Sequence, residues 1–108
     1  MSAYLLIESR DPFDWNEVAR TYELAMQLRA AGHEVALFLV QNGVLPVRAG
    51  CRQTGLDKIS GTGIEVLADD FSLRERGIAA TALVNGIRPA SIDFVVERMA
   101  AGWKTIWH

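Results

Sequence analysis

The sequence predicts an α/β domain built on a parallel sheet with helices on both faces. Apolar runs of strand length alternate with segments whose hydrophobic residues repeat at helical spacing. The runs are continuous rather than alternating, as in strands covered on both sides. With 108 residues, half of them hydrophobic, the chain fits a single domain, 1–108, and can bury a sizeable core.

The elements follow in order. Tyr4–Ile7 is a short apolar run and the first strand. Ser9–Phe13, holding Asp11 and Pro12, is a loop. Asp14 followed three residues later by Glu17 has the spacing of a capping box, and Val18, Tyr22, Ala25 and Leu28 then mark a helix that Gly32 stops. Glu34–Val40, EVALFLV, is the most buried strand expected, ended by the turn chemistry of Gln41-Asn42-Gly43. Pro46 is placed to start a helix over Val47–Thr54, which Gly50 weakens by about 1 kcal/mol relative to alanine. The SGTG turn, 60–63, leads into a strand marked by Ile64, Val66 and Leu67.

Asp69 and Asp70 follow that strand. Phe71 to Arg76 has room for about two helical turns before Gly77, a residue type that commonly closes a helix. The next stretch reads as a helical piece over Ala79–Leu83 and a strand near Gly86–Arg88, with Leu83–Val84 as the alternative strand. Ser91 can cap a last helix with the apolar stripe Ile92, Val95, Val96 and Met99, ended by Gly102. Trp103–Trp107 is the closing strand. In a parallel sheet the loops after Ile7, Val40 and Leu67 share one edge, so Asp11, Asn42 and Asp69 can converge there. In open α/β folds that carboxyl edge is where ligands bind.

Composition removes several function classes. The formal charge is −2 with both signs interspersed, which argues against nucleic acid or an anionic membrane as partner. No apolar run approaches the ~20 residues needed to span a bilayer. The start, MSAYLLIESRD, reads as a strand rather than a signal peptide. A single cysteine, Cys51, forbids an internal disulfide and fits a reducing cytoplasm.

Few side chains offer chemistry. Cys51 is the one strong nucleophile near neutral pH, and its flanking Arg48 and Arg52 are cations of the kind that favour a thiolate. The alternative is a small buried residue packing like alanine. Asp69 and Asp70 can bind a metal, work as an acid/base pair or cap the helix after them, and capping accounts for one of the two. Neither histidine, His33 or His108, has a metal-ligand spacing, so no metal and no other cofactor is expected. Ser72 has no triad pattern around it, and no phosphate-binding glycine motif occurs. Trp15, Trp103 and Trp107 favour an association surface.

Three stretches resemble one family. AYLLIESRDPFDWNEVARTYELAMQLRAAGHEVALFLVQNGV, VLADDFSLRERGI and the closing AGWKTIWH are similar to the DsrE/DsrF/DsrH-like sulfur-relay proteins, which include the TusB, TusC and TusD subunits. The Asn42-Gly43-Val44 turn and the Arg76-Gly77 helix ending carry most of the likeness. The resemblance implies a three-layer α/β/α domain on a five-stranded parallel sheet, assembled as homo- or hetero-oligomers with other DsrE-like subunits. It also implies a cysteine after the third strand that takes up sulfane sulfur and passes it to a partner carrier. Laid on this chain that cysteine falls at Ser72, and the first of a paired version falls at Asp69. Neither is cysteine.

Three readings follow: a non-catalytic structural or binding subunit, a persulfide carrier using Cys51, or a small-ligand-binding module. The expected pocket residues are Asn42, Gly43, Asp69, Asp70 and Ser72.

Overall fold

The computed structural model describes residues 1–51, 54–59 and 61–108. Five strands form one parallel sheet: β1 (Ala3–Glu8), β2 (Glu34–Leu39), β3 (Glu65–Asp69), β4 (Ile87–Ala90) and β5 (Lys104–Trp107). Their spatial order is β4-β3-β2-β1-β5. The helices are α1 (Val18–Ala30), α2 (Leu56–Ile59), α3 (Asp70–Glu75) and α4 (Asp93–Ala100), with a 3₁₀ helix over Gln41–Val47. None of the described helices is long and apolar enough to cross a membrane.

Continuous apolar strands explain the layering, because successive side chains point to opposite faces. Leu6, Leu37, Leu39, Val66 and Ala68 meet Val18, Tyr22 and Ala25 of α1, Leu56 and Ile59 of α2, and Leu73 of α3. On the other face Leu5, Ile7, Ala36, Phe38 and Leu67 meet Phe94 and Val95 of α4. Phe38 and Phe94 stack there with ring centroids 5.9 Å apart. The result is the three-layer α/β/α arrangement with five parallel strands.

The chain steps outward from β1 through β2 and β3 to β4, with the intervening helices on one face. It then returns across the opposite face through α4 to place β5 on the far side of β1.

Several local expectations change. The expected helix over Val47–Thr54 does not form as read: Pro46 lies inside the 3₁₀ helix and Arg48 is already extended. Arg48 instead makes an isolated antiparallel bridge to Leu83, so the piece over Ala79–Leu83 is turn and bridge rather than helix. The flanking Arg52 and the Ser60 end of the SGTG turn lie outside the described residues.

The capping box at Asp14 and Glu17 is also absent. Glu17 makes no capping hydrogen bond, while Asp11 Oδ1 accepts from the amides of Phe13 (3.0 Å) and Asp14 (2.9 Å). In α4, Phe94 and Val95 are the buried pair, whereas Ile92, Val96 and Met99 of the expected stripe are each more than half exposed. The return crossover reaches the sheet with that one helix, and the pair that meets Phe38 and Leu67 sets its rotation.

One glycine is fixed by packing. A Cβ on Gly43 would stand 2.2 Å from the Glu8 carbonyl oxygen, so the segment after β2 lies directly against the end of β1. Gly43→Ala is expected to lower stability by about 1–3 kcal/mol, since backbone rather than a flexible side chain must move. Urea unfolding checks this, with a lower midpoint and an unchanged slope as the expected result.

Candidate functional site

The strand ends emerge together at one edge, and two of them diverge. The connection after β3 enters α3 on one face, while the connection after β4 leads to α4 on the other. Adjacent strands whose connections part in this way leave a crevice between them, the usual ligand position in open α/β sheets. A cavity of about 250 Å³ occupies this place. Asp69, Phe71, Ser72 and Glu75 line it from the β3–α3 side, Val40 and Gln41 from the end of β2, Ile92 from the start of α4 and Trp107 from the end of β5.

The floor of the crevice is a short hydrogen-bond chain. Asp69 ends β3 and caps α3: its Oδ2 accepts from the Ser72 amide at 3.0 Å and from the Ser72 hydroxyl at 2.7 Å. The same hydroxyl accepts from the Gln41 amide at 2.8 Å. Ser72 therefore uses its hydrogen as donor and a lone pair as acceptor, and both it and Asp69 are buried. Gln41 is the one non-glycine residue with positive φ among the described residues, at 51°. That conformation costs about 1–3 kcal/mol in a residue with a side chain, and the bond to Ser72 holds it.

Two of the five expected pocket residues, Asp69 and Ser72, thus meet in one crevice. The other three stand aside. Asn42 Oδ1 accepts from Arg76 Nε at 3.1 Å, and Arg76 also donates to the Ser72 carbonyl at 3.3 Å. That second link ties the β2 loop to α3 from behind. Gly43 is packed against Glu8, and Asp70 pairs with Arg74 at 3.8 Å along the surface of α3.

Asp11 serves its own loop rather than the crevice. Gln41, Ile92 and Trp107 are lining residues that the sequence reading did not place here. Only Gln41 carried a signal, in the turn chemistry it shares with Asn42 and Gly43.

Cys51 does not line this crevice. It is half-buried, its amide donates to the Arg48 carbonyl at 3.0 Å, and it lies within electrostatic range of the Tyr22 hydroxyl on the α1 side. The Arg48 guanidinium turns to the Leu45 carbonyl at 3.3 Å. His33 accepts from the Ser2 amide at 3.0 Å, at the opposite end of the sheet. Among the described residues, no three His, Cys, Asp or Glu side chains gather as a metal site.

No family model matches the chain, and no curated protein matches it. Solved structures do. The YchN protein of E. coli superposes with a TM-score of 0.90 at 16% identity, covering 100% of both chains. A protein of unknown function from Methanobacterium thermoautotrophicum, MTH1491, reaches 0.81 at 22% identity, covering 97% of this chain and 99% of that one. What they share with it is the fold. Such likeness at low identity fits a scaffold specified by the pattern of apolar runs, which many sequences satisfy.

The α1 side of the edge makes its own prediction. The Tyr22 hydroxyl is buried with no hydrogen-bond partner among the described residues, and burial, with Glu8, Cys51 and Asp11 nearby, pushes its pKa well above the usual tyrosine range. A raised folded-state pKa favours the neutral phenol, so the unfolded chain releases this proton first and stability falls as pH rises past ~10. Tyr22→Phe should leave stability at pH 7 unchanged or raised by about 1 kcal/mol, and should flatten the alkaline decline. Thermal melts of both proteins between pH 7 and 11 check this.

Proposed function

We propose that the chain is a DsrE-like subunit that binds or scaffolds within intracellular sulfur transfer without carrying sulfur itself. The observation that carries this reading is the Ser72 hydroxyl. It occupies the position where the family resemblance puts the sulfur-carrying cysteine, and it is committed in both directions, to Asp69 and to Gln41. A serine hydroxyl is barely ionised at neutral pH and cannot hold a persulfide. What a thiolate would do in relatives, this residue does as a brace.

The subunit works beside other copies or other DsrE-like chains, in a reducing compartment, and a sulfur-carrier protein is its natural client. Its exposed apolar residues support assembly. Ile92, Val96 and Met99 line the outer side of α4, and Phe71 and Trp107 stand more than half exposed at the crevice. Apolar surface gathered in this way marks an interaction site more often than single scattered residues do.

Cys51 supports a second reading as a persulfide carrier, since its thiol is half-buried rather than sealed in the core. Exchange at such a thiol would proceed by attack of the thiolate on the outer sulfur of an incoming persulfide, with the donor thiolate leaving. Intact mass after incubation with a persulfide donor separates the two. The non-catalytic reading expects no added sulfur; an adduct abolished by Cys51→Ala establishes the carrier instead. Light scattering behind size exclusion tests the subunit claim, which expects an oligomer at micromolar concentration. A clean monomer would count against it.

A further inference from the structure

A second polar constellation lies on the α1 side of the same edge and serves neither the crevice nor the core. Glu8, the last residue of β1, is completely buried, yet it is a carboxylate. Its two oxygens sit 2.8 and 3.0 Å from Nδ1 of His108, and Oε2 also accepts from the Arg10 amide at 3.1 Å. The backbone fixes the histidine further. Its amide donates to the Ile7 carbonyl at 2.8 Å, and its carbonyl accepts from the Ser9 amide at 3.0 Å and the Ser9 hydroxyl at 2.9 Å.

An ionised carboxylate accepts only, so in the neutral ring Nδ1 carries the hydrogen between them and Nε2 is left with the lone pair. Nε2 makes no hydrogen bond among the described residues. A buried carboxylate behind an imidazole fixes the ring's orientation, the arrangement used where histidine acts on a ligand. A histidine that merely filled space would not need a fully buried charge behind it, because burying a carboxylate is costly unless it is paired.

The ring faces usable space. The His108 side chain is 28% exposed and closes a cleft of about 340 Å³ between α1 and β5. Leu24, Ile106 and Trp107 supply apolar walls, while Arg20 and Thr21 of α1 supply polar groups. Arg20 forms no ion pair among the described residues, so its fork of donors is open to a planar anion. Glu17 also borders the cleft, but it is exposed and its charge is screened by solvent.

From these features we infer that the α1–β5 cleft binds a small organic carboxylate bearing a protic group, a hydroxy acid in the simplest case. The ligand carboxylate pairs with Arg20, and its hydroxyl donates to Nε2 of His108, which Glu8 holds in the accepting tautomer. This site shares Trp107 with the Asp69–Ser72 crevice but does not depend on the role proposed for Ser72.

The test is imidazole ¹⁵N NMR of the full chain with glycolate as probe and acetate, which lacks the hydroxyl, as control. The expected spectrum shows His108 with a protonated Nδ1 and a bare Nε2, and glycolate shifts the Nε2 resonance saturably. Acetate is expected to bind several-fold more weakly, and Arg20→Ala to weaken glycolate at least tenfold. Arg20 is exposed, so its removal leaves the fold intact, and the backbone amide spectrum verifies this. A proton on Nε2 in the neutral form, a shift that never saturates, or equal affinity in Arg20→Ala overturns the inference.

Discussion

The parallel register of the three central strands is the constraint from which the rest follows. Glu8 pairs across from Leu39, and Leu39 from Ala68, so β1, β2 and β3 run out at nearly one level. Each strand then hands its polar residues to the same rim. The rim is closed by contact: Gly43 against the Glu8 carbonyl, and Ser72 between Gln41 and Asp69. Without a common level, neither contact could be made by residues so far apart in sequence.

Within that rim the two sides are used differently. On the side of the β3–β4 parting, the polar groups are turned on one another, and the walls are apolar and exposed. On the side of α1 and β5, a buried carboxylate backs a histidine whose outer nitrogen has no partner among the described residues. The first arrangement braces a shape; the second presents an acceptor. A single thiol, Cys51, lies near Tyr22 and does not line the crevice at Ser72.

Much of this was legible in the residues, for definite reasons. EVALFLV has the length and unbroken apolar character of a strand buried on both faces, and the alternation of such runs with helical spacing pointed to a parallel sheet. That one of Asp69 and Asp70 caps the next helix followed from their place before Phe71, and the Ser72 amide picks out Asp69. The segment after Gly43 was harder, because Pro46 marks a helix start as readily as it sits inside a 3₁₀ turn, and because Arg48 is extended by a bridge to Leu83, a distant partner. The stripe of α4 misled for a related reason. Ile92, Phe94, Val95, Val96 and Met99 are apolar nearly all round, and the sheet surface decides which of them are covered. Glu8 and His108 stand 100 residues apart, and only the β1–β5 pairing makes them neighbours.

Ser72 acts as a brace, and hydrogen exchange at the Gln41 amide measures this directly. If Ser72 Oγ accepts from it as described, this amide exchanges slowly although Gln41 itself is exposed. Ser72→Ala should then speed Gln41 selectively while the β2 and β3 amides stay protected. An amide that already exchanges freely in the unmodified protein, or that ignores the loss of the hydroxyl, would contradict the account.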